Sequence, residues 1–330
     1  MNRSDLSRRW RVHGVGKGIP WAKVARRALG VVVVVLGVTF GAFLLSYLSP
    51  TDAATQYFSS KGVAPTPAEL AAKRAEFGLD RPFLVQYVSW LGSMLQGDLG
   101  ESYRSGRPVF DTLMGGLPYT IALTACSMLL VLVIALPVGL ICAYRKDGLF
   151  DNIVRALTYM FNALPTFFVA LMLLYVLAVR LHLFKVNATL DLKGLVMPSL
   201  AMALPLSAWY IRQVRAYFLE QLGSVYVDGL RSRGASERAI LFKHVLRNSL
   251  VPILSLVGIS VGSMLGGTAI VESIFNWPGV GNLSVAAIST RDYPVVEGYA
   301  LLMAIVYLIV NALVDVAYRL ADPRVAKEAR

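Results

Sequence analysis

Apolar residues along this chain gather into blocks of bilayer-crossing length, separated by shorter polar and charged segments. The blocks lie at about 28–48, 118–144, 153–180, 196–219, 250–271 and 297–318. A run such as ALGVVVVVLGVTFGAFLLSYL is long enough to cross about 30 Å of hydrocarbon as a helix. A helix also satisfies its own backbone hydrogen bonds in lipid. The expected fold class is an all-α polytopic membrane protein with six transmembrane helices. Pro137, Pro165 and Pro205 fall inside the blocks and read as kinks supported by neighbouring helices.

Two polar segments carry helix signals of their own. In TPAELAAKRAEFG, Thr66 is placed to cap a helix, Pro67 stands at its first position, Glu69 completes a capping box and Gly78 ends it. RPFLVQYVSWLGSML follows as an amphipathic helix whose Phe83, Tyr87 and Trp90 suit a membrane interface, so short helices lying on the outer surface are expected.

The second such segment, VYVDGLRSRGASERAILFKHVLRN, covers 225–248 and holds seven charged residues. Ser224 is placed to cap a helix through Arg233, which Gly234 ends in a left-handed conformation. Ser236 caps the next, where Ile240, Leu241, Val245 and Leu246 share one face and Arg238, Lys243 and Arg247 stay polar. A solvated loop has no need of that sharp corner. A helix shaped for a groove on a partner does.

Composition agrees with the blocks: 56% of the 330 residues are hydrophobic and 16% are charged. The net charge of +12 would suggest nucleic acid for a soluble protein. Here no basic-aromatic patch stands apart from the spans, so the expected surroundings are a lipid bilayer and no nucleic acid. Counting Lys and Arg with the N-terminus inside gives 21 in the inner segments and 9 in the outer ones, which puts both termini in the cytoplasm. The first apolar run exceeds the 7–15 residues of a signal-peptide core and is read as a retained span. The resulting division is a basic tail (1–27), a first span (28–48), an outer loop (49–117), a five-helix core (118–318) containing the loop 224–248, and a tail (319–330).

Candidate enzyme chemistry is thin. There is no G-x-x-x-x-G-K-[ST] to cradle nucleotide phosphates and no H-E-x-x-H, and no Ser/His/Asp or Cys/His set emerges. Cys126 and Cys142 lie on one expected helix, about 24 Å apart at 1.5 Å per residue, too far to bridge. Of three histidines, only His182 falls near the outer end of a span, and one histidine makes no metal site. Asp315 near the end of the last run is spaced to pair with Arg319. No catalytic residue and no metal ligand is assigned.

DGLRSRGASERAILFKHVL resembles the EAA loop of ABC-importer permeases. Asp228 stands where that motif has Glu, Gly229 and Leu230 where it has Ala-Ala, and Gly234 at its fixed Gly; Leu246 matches its Leu, while Arg247 replaces its terminal Pro. GLDRP (78–82), GDLGES (97–102), ESIFNWPGVG (272–281), RDYP (291–294), NALVDVAY (311–318) and ADPR (321–324) are similar, in order, to the dipeptide, oligopeptide and nickel branch of these binding-protein-dependent inner membrane components.

The resemblance implies a type I ABC importer permease in a bacterial inner membrane. It implies a second permease subunit, usually a different chain, two cytoplasmic ATPase subunits that bind ATP and Mg, and an extracytoplasmic binding protein. This chain would hold no cofactor itself. Tyr226, Asp228, Gly229, Leu230, Arg231, Arg233, Gly234 and Arg238 would form the coupling helix and its flank against an ATPase. Glu272, Asn276, Trp277, Pro278, Gly279, Gly281, Asp292 and Glu297 would line the outer mouth or meet the binding protein. The implied cargo is a di- or oligopeptide; nickel or a metal chelate on the same machinery is the alternative. An ion-coupled secondary transporter would instead need ionisable residues at mid-span, which this sequence lacks.

One consequence follows for the corner. Gly234→Val forces a β-branched residue toward positive φ, at a cost of about 1–3 kcal/mol. Transport or subunit assembly is expected to fall in a reconstituted complex; normal transport with normal ATP turnover would contradict a left-handed residue there.

Overall fold

The computed structural model describes residues 21–188 and 190–321. The tail residues 1–20 and 322–330, with most of the ADPR match, lie outside them. Helices account for the described architecture: α1 (Trp21–Tyr47), α2 (Ala53–Ser60), α3 (Pro67–Glu76), α4 (Phe83–Leu95), α5 (Val109–Tyr144), α6 (Leu149–Ala163) and α7 (Thr166–Leu173), which runs into a wide π turn (Leu174–Arg180). Then come α8 (Leu192–Leu222), α9 (Val225–Ser232), α10 (Glu237–Ala239), a second π turn (Ile240–Val245), α11 (Leu246–Ile274), α12 (Val280–Ser289) and α13 (Tyr293–Ala321). Extended pairing among the described residues amounts to one bridge, Glu101 with Pro108.

Five helices are long and apolar enough to cross a membrane: Ala28–Tyr47, Val109–Tyr144, Leu192–Leu222, Glu237–Ile274 and Tyr293–Val314. The third expected span, 153–180, is an elbow. Leu149–Ala163 and Thr166–Arg180 meet at 101°, so Pro165 breaks the run where a kink was expected. Leu164 before it is driven to φ −85°, ψ 127°, because the proline ring crowds the helical conformation of the residue preceding it. Pro137 and Pro205 stay inside continuous helices. Both arms of the elbow pack against α8, while Pro165 and Thr166 at the break itself are exposed on this chain. The amphipathic 236–248 helix is likewise not separate from the fifth span: it continues through Pro252 as one helix.

The outer-loop signals emerge in detail. Thr66 and Glu69 form the capping box, and Gly78 sits at φ +66° after the last turn. The aromatic face of α4 packs against α1. Phe83 packs edge-on to Phe40 and Tyr47 at 5.5 and 5.0 Å, Tyr87 is buried with its hydroxyl 3.0 Å from that of Thr39, and Trp90 meets Phe43. α1 presents matching aromatics and takes that face; Leu84, Val88 and Leu95 are left exposed instead.

α8 is the spine of the core. It packs against α5, α6, α7 and α11, and its Met197, Tyr210, Val214 and Phe218 are buried. Arg215 grips Asp151 of α6 through two bonds, Nε–Oδ1 2.7 Å and Nη2–Oδ2 2.6 Å, with Asp151 0% and Arg215 16% exposed. The Asp147 amide donates a further bond to Asp151. Removing one partner of such a buried pair strands the other's charge. Asp151→Ala is therefore expected to destabilise the protein by roughly 3–5 kcal/mol, whereas Asp151→Leu with Arg215→Met costs clearly less. Thermal unfolding of the purified variants checks this order.

Candidate functional site

The charged segment folds into a tight helical hairpin. α9 leaves α8 after Gly223 and Ser224 alone, so the two helices are joined with almost no slack. Ser224 occupies the cap position, but its hydroxyl donates back to the Gln221 carbonyl and does not bond the α9 amides, which corrects the capping expected of it. At the far end Gly234 is left-handed at φ +79°. The Ala235 and Gly234 amides donate to the Leu230 and Arg231 carbonyls, the paired bonds of a Schellman ending. Ser236 accepts the Ala239 amide and caps the next helix as expected.

One side chain bolts the hairpin down. Val227 is 0% exposed in a cluster with Val214, Phe218, Ala143, Ile240, Val245 and Ile253, and half-buried Leu230 packs beside it. The opposite face stands clear: Tyr226, Asp228, Gly229, Arg233, Gly234 and Arg238 are exposed, with Val225 at 86%. Arg231 is committed within the hairpin, donating to Glu237 at 2.8 Å and Asp228 at 3.4 Å and so clasping its two limbs.

At the other end of α11, the turn 275–281 is assembled around Glu272. This carboxylate is 0% exposed and accepts from the Thr120 hydroxyl at 2.7 Å and the Asn282 amide at 2.9 Å. Thr120 in turn accepts the Val280 amide at 2.9 Å. Gly279 precedes α12 without a side chain to cap it, and Glu272 brings negative charge to that amide-rich end from a neighbouring helix. The approach leaves no room for side chains: a Cβ at Gly279 would lie 2.4 Å from the Glu272 carboxyl carbon, and one at Gly281 would lie 2.6 Å from Ala269 Cα. Trp277 is buried, its indole donating to the Tyr119 carbonyl at 3.0 Å. Asn276 is exposed at φ +50°, and Pro278 is half-buried.

Asp292 and Glu297 are buried as well, and the three carboxylates serve separate places. Asp292 accepts from the Ser102 hydroxyl at 2.5 Å and the Tyr103 amide at 3.0 Å. Around it, Tyr293 bonds Ser49 and Thr51, Arg291 bonds Thr51, and Gln56 bonds the Thr290 carbonyl. These ties hold residues 49–103 to the start of the last span. Burial, and then the charges of Glu297 and Asp292, push the Tyr103 hydroxyl far above the ordinary phenol range, so it stays a protonated donor. The expectation that Glu272 and Asp292 offer surface contacts is thus corrected: both are consumed by internal hydrogen bonds. Their partners Thr120 and Ser102, and Tyr119, the partner of Trp277, had no local signal, because the contacts join positions 152 to 190 residues apart.

Comparison with known proteins agrees with this architecture. Residues 135–327 match the family described as binding-protein-dependent transport system inner membrane component, and residues 22–124 match its N-terminal family. The chain belongs to this family: it is a multi-pass permease subunit of an ABC importer, a transport subunit and not an enzyme. It is 33% identical over 315 residues to the oligopeptide transport system permease protein AppB of Bacillus subtilis, covering 92% of this chain and 99% of AppB. It is 32% identical over 298 residues to the nickel import system permease protein NikB of Staphylococcus aureus, covering 90% of each. Among solved structures, a chain of the inward-facing methionine ABC transporter MetNI superposes with a TM-score of 0.55 at 18% identity, over 64% of this chain and 96% of that one. That likeness establishes the type I permease fold.

If Glu272 holds the turn, Glu272→Gln weakens bonds to a charged acceptor and is expected to cost roughly 1.5–3 kcal/mol. Gly279→Ala strikes the same contact, so the double variant should lose less than the sum of the singles. Thermal unfolding together with hydrogen exchange at 280–283 reads both effects.

Proposed function

We propose that this chain forms half of the translocation pathway for di- or oligopeptides delivered by an extracytoplasmic binding protein, in the inner membrane of a bacterium. A second permease subunit completes the pathway, and two cytoplasmic ATPases bind ATP and Mg. In this reading both termini and the 224–248 hairpin face the cytoplasm, in accord with the Lys and Arg bias. The observation that carries the mechanism is α9. Its outer face is unoccupied, its inner face is bolted by Val227, and it joins the α8 spine through two residues.

Seated in an ATPase groove, α9 would pass a displacement to α8, and through Arg215–Asp151 to the elbow. Access would then switch by rigid-body movement of the permease pair. Tyr226, Asp228, Gly229, Arg233 and Arg238 offer the contacts. Leu230, Arg231 and Gly234 shape the hairpin that presents them. At the outer end, exposed Asn276 and half-buried Pro278 offer contacts to the binding protein or cargo, on a turn held by Glu272, Trp277, Gly279 and Gly281.

A nickel or nickel-chelate cargo is the second reading, favoured by the similarity to NikB. The binding protein selects cargo in this architecture, so permease residues separate the two poorly. Reconstitution with ATPases, second permease and binding protein, followed by ATP hydrolysis with short peptides, Ni²⁺, or Ni²⁺ plus histidine, is the direct test. Peptides alone are expected to stimulate hydrolysis and uptake. Stimulation confined to nickel or its chelate would replace the cargo and leave the machine standing.

A further inference from the structure

A cavity of about 1000 Å³ lies between α1, helices α2–α4, the 98–106 loop and the first turns of α13. It is formed by this one chain, on the far side of the 290–293 ties from the turn at Glu272. Those ties, from Asp292 to Ser102 and Tyr103 and from Tyr293 to Ser49 and Thr51, fix its walls in advance of any ligand. Much of the wall is aromatic, with Tyr57 edge-on to Phe77 at 5.9 Å and Phe77 stacked on Tyr103 at 5.7 Å.

Ten charged side chains, five of each sign, line this space, and among them Arg74 pairs with Asp52. Glu297 lines it, is 6% exposed, and has no ion-pair partner among the described residues. Elsewhere on the wall, the ammonium groups of Lys61 and Lys73 sit 4.0 and 4.3 Å from the centre of the Tyr57 ring. Glu76 balances Lys73, whereas Lys61 has no ion-pair partner among the described residues. Tyr103 adds a hydroxyl donor.

A buried carboxylate with no ion-pair partner is costly to keep charged, and a ligand that brings a positive charge and several N–H donors removes the cost. The lysines require the opposite sign at the ligand's other end. The space is concave and preformed, as small-ligand sites are, and its wall is charged as well as aromatic.

We propose that this cavity binds a small zwitterion, its primary ammonium on Glu297 and its anionic group at Lys61 and Lys73. Short peptides have this chemistry, and so does a phosphatidylethanolamine headgroup. The site stands independently of which cargo the importer carries.

The test uses the assembled transporter without its binding protein, in nanodiscs of phosphatidylcholine, titrated calorimetrically with trialanine, N-acetyl-trialanine and trialanine amide. Trialanine is expected to bind. N-acetylation and Glu297→Gln should each weaken binding at least tenfold, with no further loss when combined. Lys61→Ala, on an exposed side chain whose loss does not threaten the fold, should weaken trialanine several-fold and leave the amide unchanged. Native mass spectrometry after exchange into phosphatidylethanolamine discs separates the sources. A headgroup lipid retained by the parent protein and lost from Glu297→Gln, without peptide binding, upholds the zwitterion chemistry and assigns it to lipid. Neither ligand binding, or binding indifferent to N-acetylation and to both variants, overturns the proposal. Nickel-only transport with intact trialanine binding would remove the peptide cargo and leave this site in place.

Discussion

Backbone amides and carbonyls inside a bilayer find no water, and each unpaired group costs several kcal/mol. Every irregularity of this chain has to be resolved against that constraint. The elbow at Pro165 is flanked by α8 along both arms, which holds the broken run in place. The turn at 275–281 is a more demanding case. α12 begins with no side-chain cap of its own, and Glu272 and Thr120 supply acceptors from α11 and α5. The two glycines of that turn follow from the same fact, since a carboxylate brought this close to the backbone excludes a Cβ.

The same economy ties a short surface helix to a whole membrane domain. α9 is two turns long and would be marginal alone. Val227 places it in the apolar cluster that ends α5 and α8 and begins α11, so it cannot shift without carrying them. The Arg215–Asp151 pair extends that block to α6. Buried ion pairs add little net stability, yet their directional, bidentate geometry fixes the alignment of the two helices they join.

Residues 49–106 form a second body on the core, attached by aromatic packing on α1 and by hydrogen bonds around Asp292. That attachment creates the large cavity and buries Glu297 at its edge. An ionisable group is retained there away from water, at an energetic cost.

Short-range chemistry is legible in the amino-acid order alone. Apolar length marks the spans, because bilayer thickness is a number the chain must match. Thr66, Pro67, Glu69 and Gly78 announce a helix end to end, and Gly234 its left-handed residue, because caps act within four positions. The motifs from 78 to 318 point to the permease family. The tertiary structure alone decided the rest. Pro165 became a 101° break while Pro137 and Pro205 did not, a difference that neighbours make and proline chemistry does not. Phe83 and Tyr87 were taken by α1, and Ser224 bonded backward. Glu272 and Asp292, polar and near the outer mouth in sequence, turned inward to partners more than 150 residues away. A sequence carries its short-range hydrogen bonds openly, but which distant backbone a buried carboxylate must satisfy exists only once the helices have packed.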